Sequence, residues 1–277
     1  MPPRQRLPAH QRVTGDEELA VLRDGELEIH GRILPASNVT LVATASSDGR
    51  SLRCVYKPVS GERPLWDFPE GTLAGREVAA YLVSEALGWD VVPLTIEREG
   101  PLGPGMVQVW REPDERQDPV DVVPEGEVPE GFLHVLDAAD GEGRPVSLVH
   151  ENTPALHRMA VFDVLVNNAD RKGGHVLAMA DGHRYGVDHG VCFHVHPKLR
   201  TVLWGWATLP LREDEQAALL RLAEELAAQG GELRSALDLR LTPDEVRALR
   251  ERCEELLAAN RMPLPSGEWP AIPWPAF

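Results

Sequence analysis

Cysteine is scarce. Only Cys54, Cys192 and Cys253 occur in 277 residues, and they are isolated from one another. An odd number at such spacings supplies no disulfide framework, and a reducing, cytoplasmic setting is expected. No stretch approaches the ~20 apolar residues of a membrane-spanning helix. Met1–Arg12 is basic and proline-bearing but has no apolar core, so no secretory signal is expected. Basic residues are also in deficit: 28 Lys and Arg face 44 Asp and Glu, a formal net charge of −16. That balance argues against a nucleic-acid partner, which needs a basic face to neutralise phosphates, and against docking on an anionic membrane. There is no CxxC pair, no helical HExxH and no internal repeat. What the chain does have is 43% hydrophobic residues, ample for one large domain or two lobes.

The pattern along the chain predicts an α+β protein. Residues 1–23 read as an arm with a short helix near Glu17–Leu22. Strands are expected at Glu26–Ile33, Val39–Thr44 and Leu52–Val59, the last two joined through Ser46-Ser47-Asp48-Gly49, a hairpin signal. Thr72–Leu87 has helical apolar spacing and stops at Gly88, a residue suited to the left-handed position after a helix. Val91–Glu97 and Met106–Arg111 read as strands around the turn Gly100–Gly105. Glu112–Glu130, crowded with acidic residues and proline, reads as a linker or surface loop. The remainder is expected to be mostly helical. Thr153-Pro154 starts a helix to about Val166, Glu213–Gln229 is amphipathic, and Thr242-Pro243-Asp244-Glu245 is a capping box opening a helix to about Asn260. A short hairpin is expected at Val176–Ala180 and Tyr185–Val187. The expected domains are an arm (1–23), an N-lobe (24–112), an acidic linker or loop (113–130) and a C-lobe (131–277).

Chemistry concentrates in Asn167-Asn168-Ala169-Asp170-Arg171-Lys172-Gly173-Gly174-His175 and in Asp188-His189-Gly190. Two carboxylates in polar loops between apolar runs suit phosphotransfer, one orienting a hydroxyl and the other holding Mg²⁺ under nucleotide phosphates. Arg171 is a candidate charge partner for Asp170, and Gly173-Gly174 permits a tight backbone path beside a ligand. Upstream, Lys57 ends an apolar run and a helix carrying Glu77 follows. Lysine, glutamate, loop aspartate and metal aspartate in that order are the parts of a kinase-type ATP site.

Phe162–Arg171 and Tyr185–Gly190 resemble the catalytic loop and the metal-binding strand end of phosphatidylinositol 3- and 4-kinases and their bacterial relatives, which include toxin-type protein kinases. The resemblance covers roughly residues 30–200. It implies a two-lobed protein-kinase-like α+β fold, an antiparallel β N-lobe with one helix over a mainly helical C-lobe. It further implies that Asp170 is the catalytic aspartate and that Asp188 chelates the metal. Lys57 would reach the α-phosphate and Glu77 would pair with it. Ser37 and Asn38 would lie in the phosphate-covering loop, and Gln108, Val109 and Trp110 at the hinge that meets adenine. The implied cofactors are ATP with Mg²⁺ or Mn²⁺. His175 stands where the family has a metal-binding asparagine, five residues after the aspartate, and Mg²⁺ prefers oxygen ligands.

The expected function is ATP- and metal-dependent phosphoryl transfer to a hydroxyl on a polyol, a sugar or a protein serine or threonine. A nucleotide-binding pseudokinase serving as an interaction module is the alternative, because of His175. A metallohydrolase built on His189, His194 and His196, with His175 and His183 nearby, is a third reading. Cys192, His194 and His196 alternate as they would on one face of a strand.

Overall fold

A computed structural model describes residues 15–34, 38–68, 72–267 and 269–277. It is an α+β protein whose named strands all pair antiparallel, with six α-helices among the described residues. The chain divides into two compact units, Met1–Arg63 with Leu94–Trp110, and Pro64–Pro93 with Arg111–Phe277.

The first unit holds α1 (Gly15–Asp24) and a sheet of β1 (Glu26–Arg32), β2 (Leu41–Ser47), β3 (Arg50–Pro58), β4 (Thr95–Gly100) and β5 (Gly103–Val109), ordered β1-β2-β3-β5-β4. Asp48 and Gly49 both have positive φ and close the β2–β3 hairpin, so the Asp-Gly signal acts as a two-residue turn. Period-two burial follows: Cys54, Tyr56 and Pro58 are buried, and Val55 and Lys57 face the other way. Val21 and Leu22 of α1 join the core that Tyr56 and Val107 form. The Tyr56 hydroxyl donates to Gly103 O, and a Cβ at Gly100 would meet the tyrosine ring at 2.7 Å. Gly100 and Gly105 therefore make room for the Tyr56 ring.

In the second unit α2 (Leu73–Leu87) begins at Thr72, whose hydroxyl accepts the Gly75 N–H, and ends at Gly88 with φ 68°. This helix, expected within 24–112, packs with the second unit. Ala79, Ala80, Val83 and Leu87 enter that unit's core, and Arg76 forms a buried ion pair with Glu245. A helix buried on most sides needs neighbours all round, and here they are other helices of this unit.

The expected linker 113–130 and the expectation of a mostly helical second half both require correction. β6 (Val120–Pro124), β7 (Phe132–Ala139) and β8 (Pro145–Glu151) form a sheet ordered β6-β8-β7. Only the central β8 is largely buried; β6 and β7 are edges carrying Asp, Pro and His outward, which hid their periodicity. α3 (Pro154–Val166) then carries Met159, Phe162, Leu165 and Val166, all buried as expected. β9 (Val176–Ala178) and β10 (Arg184–Gly186) form the short hairpin. α4 (Glu213–Ala227), the unanticipated seven-residue α5 (Glu232–Asp238) and α6 (Pro243–Ala259) complete the unit, with the predicted capping box at Thr242 and Glu245 present. Cys192, His194 and His196 lie in irregular chain rather than on a strand. The reason is Asn167, the left-handed residue ending α3, whose amide donates to the carbonyls of His194 and His196 at 2.8 and 2.7 Å. No described helix is long and apolar enough to cross a membrane.

Candidate active site

The site grows from the end of α3. Asp163 is the one carboxylate of α3, set in the apolar run Phe162–Val166, and is fully buried. Burying a charge demands a partner, and Arg171, equally buried, supplies it through Nε to Oδ2 and Nη2 to Oδ1, both at 2.9 Å. Asn168 Nδ2 donates to the same carboxylate at 2.9 Å, and its Oδ1 accepts the Asp170 N–H at 3.0 Å. The Asp170 N–H is thus held by Asn168, which Asp163 anchors in turn.

Arg171 does more than close one ion pair. Its Nη1 donates to His175 O (3.2 Å) and Val187 O (3.1 Å), and its Nη2 to His189 Nε2 (2.7 Å). One guanidinium therefore joins α3, the Asp170 loop and the Asp188 loop. Gly186 is glycine because a Cβ there would come within 2.8 Å of that guanidinium. The expectation that Arg171 is the charge partner of Asp170 is corrected: Asp163 takes it, and Lys172 Nζ lies 3.3 Å from Asp170 Oδ2 instead.

His175 Nδ1 is 3.0 Å from Asp170 O. A carbonyl only accepts, so Nδ1 carries the proton and Nε2 presents a lone pair. Nε2 faces Asp188 Oδ2 at 3.5 Å. Burial pushes the His175 pKa below its ordinary value, while Asp188 opposes that shift, so the ring is neutral at pH 7. Two electron-pair donors thus face each other. Asp188 itself sits at φ 64°, a left-handed conformation that costs a non-glycine residue energy and that clusters at functional sites. The Asp170 carboxyl is raised by burial, against Lys172 and His175, with Asp188 adding to the rise.

Of the residues expected to act together, Asp170, His175 and Asp188 converge in the second unit. Glu77 joins them indirectly, its Oε2 accepting the His189 N–H at 2.9 Å. Lys57, Asn38, Gln108, Val109 and Trp110 belong to the first unit. Asn38 Oδ1 accepts the Arg63 N–H at 2.8 Å, and the buried Gln108 donates to Thr95 Oγ1 at 2.8 Å. Val109 is buried in the sheet, and Trp110, stacked under the Arg53 guanidinium, is the last residue before the chain enters the second unit. Ser37 lies outside the described residues. Gly173 does not give a ligand room: a Cβ there would strike the Phe277 ring, and its N–H donates to Ala276 O at 2.8 Å. The part that sequence reasoning missed was Asp163, whose signal was a lone charge inside Phe162–Val166.

Among the described residues no group of three or more His, Cys, Asp or Glu side chains is placed so that it could hold a metal ion. The Asp188–His175 pair offers one oxygen and one nitrogen donor, with the Asp170 carboxylate nearby.

The fold and site define an α+β protein with a loop-borne Asp–His–Asp constellation. No family model matches the sequence. Over 271 residues the chain is 54% identical to Protein Rv2133c of Mycobacterium tuberculosis (strain ATCC 25618 / H37Rv), an alignment spanning 95% of this chain and 96% of that protein. The chain belongs to the family of that mycobacterial protein.

Proposed function

We propose that this protein is an ATP- and divalent-metal-dependent phosphotransferase acting on a hydroxyl, with the two-lobed kinase-like arrangement that the motif resemblance implies. The observation carrying this reading is the buried Arg171, which fixes the Asp170 loop against the Asp188 loop while His175 Nε2 and Asp188 Oδ2 face each other at 3.5 Å. Phosphoryl transfer relies on positioning and charge neutralisation, and a rigid pair of carboxylate loops serves both.

In this reading Asp188 and His175 hold Mg²⁺ or Mn²⁺, whose charge neutralises the nucleotide phosphates when it is bound. Lys57, with Glu77, and the segments at Ser37-Asn38 and Gln108–Trp110 serve the nucleotide. Asp170 orients the acceptor. As the hydroxyl oxygen bonds to the γ-phosphorus, the bond from that phosphorus to the β–γ bridging oxygen breaks. ADP leaves with the electron pair, and the hydroxyl proton passes to Asp170. Burial, which raises the Asp170 pKa, makes it a better proton acceptor than an exposed aspartate.

Thermal unfolding with Mg-ATP and Mn-ATP tests this. A ligand at ~100 times its dissociation constant adds about 2.7 kcal/mol of stability. Asp188→Asn abolishes the metal-dependent part of the shift. His175→Asn keeps it and favours Mg²⁺, since asparagine offers an oxygen ligand. Absence of any shift in the parent with either metal overturns the proposal.

A further inference from the structure

Segment 194–201 is laid directly against the loop that carries Asp170. Arg200 donates its N–H to Asn168 O at 3.0 Å and its Nε to Ala169 O at 2.6 Å, while the Arg171 N–H donates to Arg200 O at 3.0 Å. Two residues earlier, the Lys198 N–H donates to Asn167 Oδ1 at 2.9 Å. Lys198 is thereby fixed beside the candidate site, and it is only 7% exposed.

Its surroundings are unusual for a lysine. Nζ pairs with Asp67 Oδ2 at 2.7 Å. Three ring centroids lie within 5.1–5.6 Å of it, those of Trp269, Trp66 and Phe68. The Arg200 guanidinium lies 5.9 Å from the Trp269 centroid. Cation–π contacts and the ion pair hold this group together. Yet Trp66 is 85% exposed, so its indole contributes little by burial and presents a large flat apolar surface to solvent.

We propose that Trp66, Asp67, Lys198 and Trp269 form the acceptor subsite, and that its ligand is a neutral polyhydroxylated ring, a free sugar or cyclitol. This rests on the phosphotransferase reading above. An indole face stacks on the apolar C–H face of such a ring, leaving the hydroxyls at its edge. Asp67 accepts from those hydroxyls, and the Lys198 ammonium donates to them. Asp67 balances the Lys198 charge, and the Arg200 guanidinium, 5.9 Å from the Trp269 centroid, stands at the subsite's edge, so glucose 6-phosphate is the arm that separates a neutral from an anionic ligand. The net charge of −16 disfavours an anion. The Arg200–Ala169 bond sets this subsite beside the residue that precedes Asp170.

Titration of the full-length protein with methyl α-D-glucopyranoside and with myo-inositol, read by calorimetry and tryptophan fluorescence, tests the proposal. Glucose 6-phosphate and a serine peptide provide the rival arms. Saturable binding of at least one neutral ring is expected. Trp66→Ala should weaken it about tenfold or more, Trp66→Phe should retain part of it, and Lys198→Met should also weaken it. The Mg-ATP thermal shift of each variant reports that it is folded and keeps nucleotide binding. If neither neutral ring binds at millimolar concentrations, or only the sugar phosphate or the peptide binds, or Trp66→Ala binds like the parent, the subsite is overturned. When the Mg-ATP shift persists in those cases, the phosphotransferase reading survives. Loss of that shift in the parent fails the reading itself.

Discussion

Arg171→Met removes the guanidinium that ties three segments together, and its cost can be worked from the contacts. The variant leaves Asp163 charged and fully buried, with Asn168 and Thr201 as its remaining side-chain donors. It also deprives His175 O and Val187 O of their guanidinium donor. Breaking a buried ion pair from one side costs about 3–5 kcal/mol, because the orphaned charge keeps its desolvation penalty. For a unit of 150–250 residues each kcal/mol lowers Tm by about 2–4 °C, so a fall of roughly 6–20 °C is expected. Denaturant unfolding followed by far-UV circular dichroism measures the first quantity and calorimetry the second. The double variant Asp163→Asn/Arg171→Met, which removes both charges of this pair, should recover at least half of the loss. A cost below about 1 kcal/mol for Arg171→Met, or no recovery in the double variant, would refute the assignment of Arg171 as the tie between the two loops.

His150 gives a pH prediction. It is buried as the neutral ring, Nδ1–H donating to Glu151 O at 2.9 Å and Nε2 accepting the Gly205 N–H at 3.0 Å, and burial lowers its pKa to about 4. Its folded pKa lies below the unfolded value of ~6.5, so the unfolded chain binds the proton first. Stability therefore falls as pH drops from about 6.5 to 4, by at most about 3 kcal/mol from this residue, and His150→Gln should flatten that slope in urea unfolding. An unchanged slope counts against the burial argument. Gly173→Ala should destabilise by about 1–3 kcal/mol through collision with Phe277, and Phe277→Ala in the same chain should relieve most of it; additive effects of the two changes contradict the contact.

Strong local signals carried well from sequence to structure. Thr72 with Gly88, Thr153-Pro154 and the Thr242–Glu245 box each satisfy backbone groups at helix ends, so α2, α3 and α6 fall where those residues put them. Strands β6 and β7 stayed hidden because sheet edges tolerate the same acidic residues and prolines that mark loops. α5 is too short to display a period. At the site, the convergence of Asp170, His175 and Asp188 was legible, since all three stand in short loops beside apolar elements. The Asp163–Arg171 tie was not, because nothing in the spacing says which carboxylate a buried arginine will choose. Nor could spacing reveal that Asp67 and Lys198, 131 residues apart, form an ion pair.

Comparison of the parent with Asp170→Ala in Mg-ATP binding and in γ-phosphoryl transfer to an acceptor, or to water where none is supplied, tests the central claim most directly. A residue that orients the attacking hydroxyl acts in the transition state, so the variant should bind Mg-ATP like the parent and transfer phosphate about 10²–10⁴-fold more slowly. A parent that binds the nucleotide yet turns over no faster than Asp170→Ala would contradict the claim.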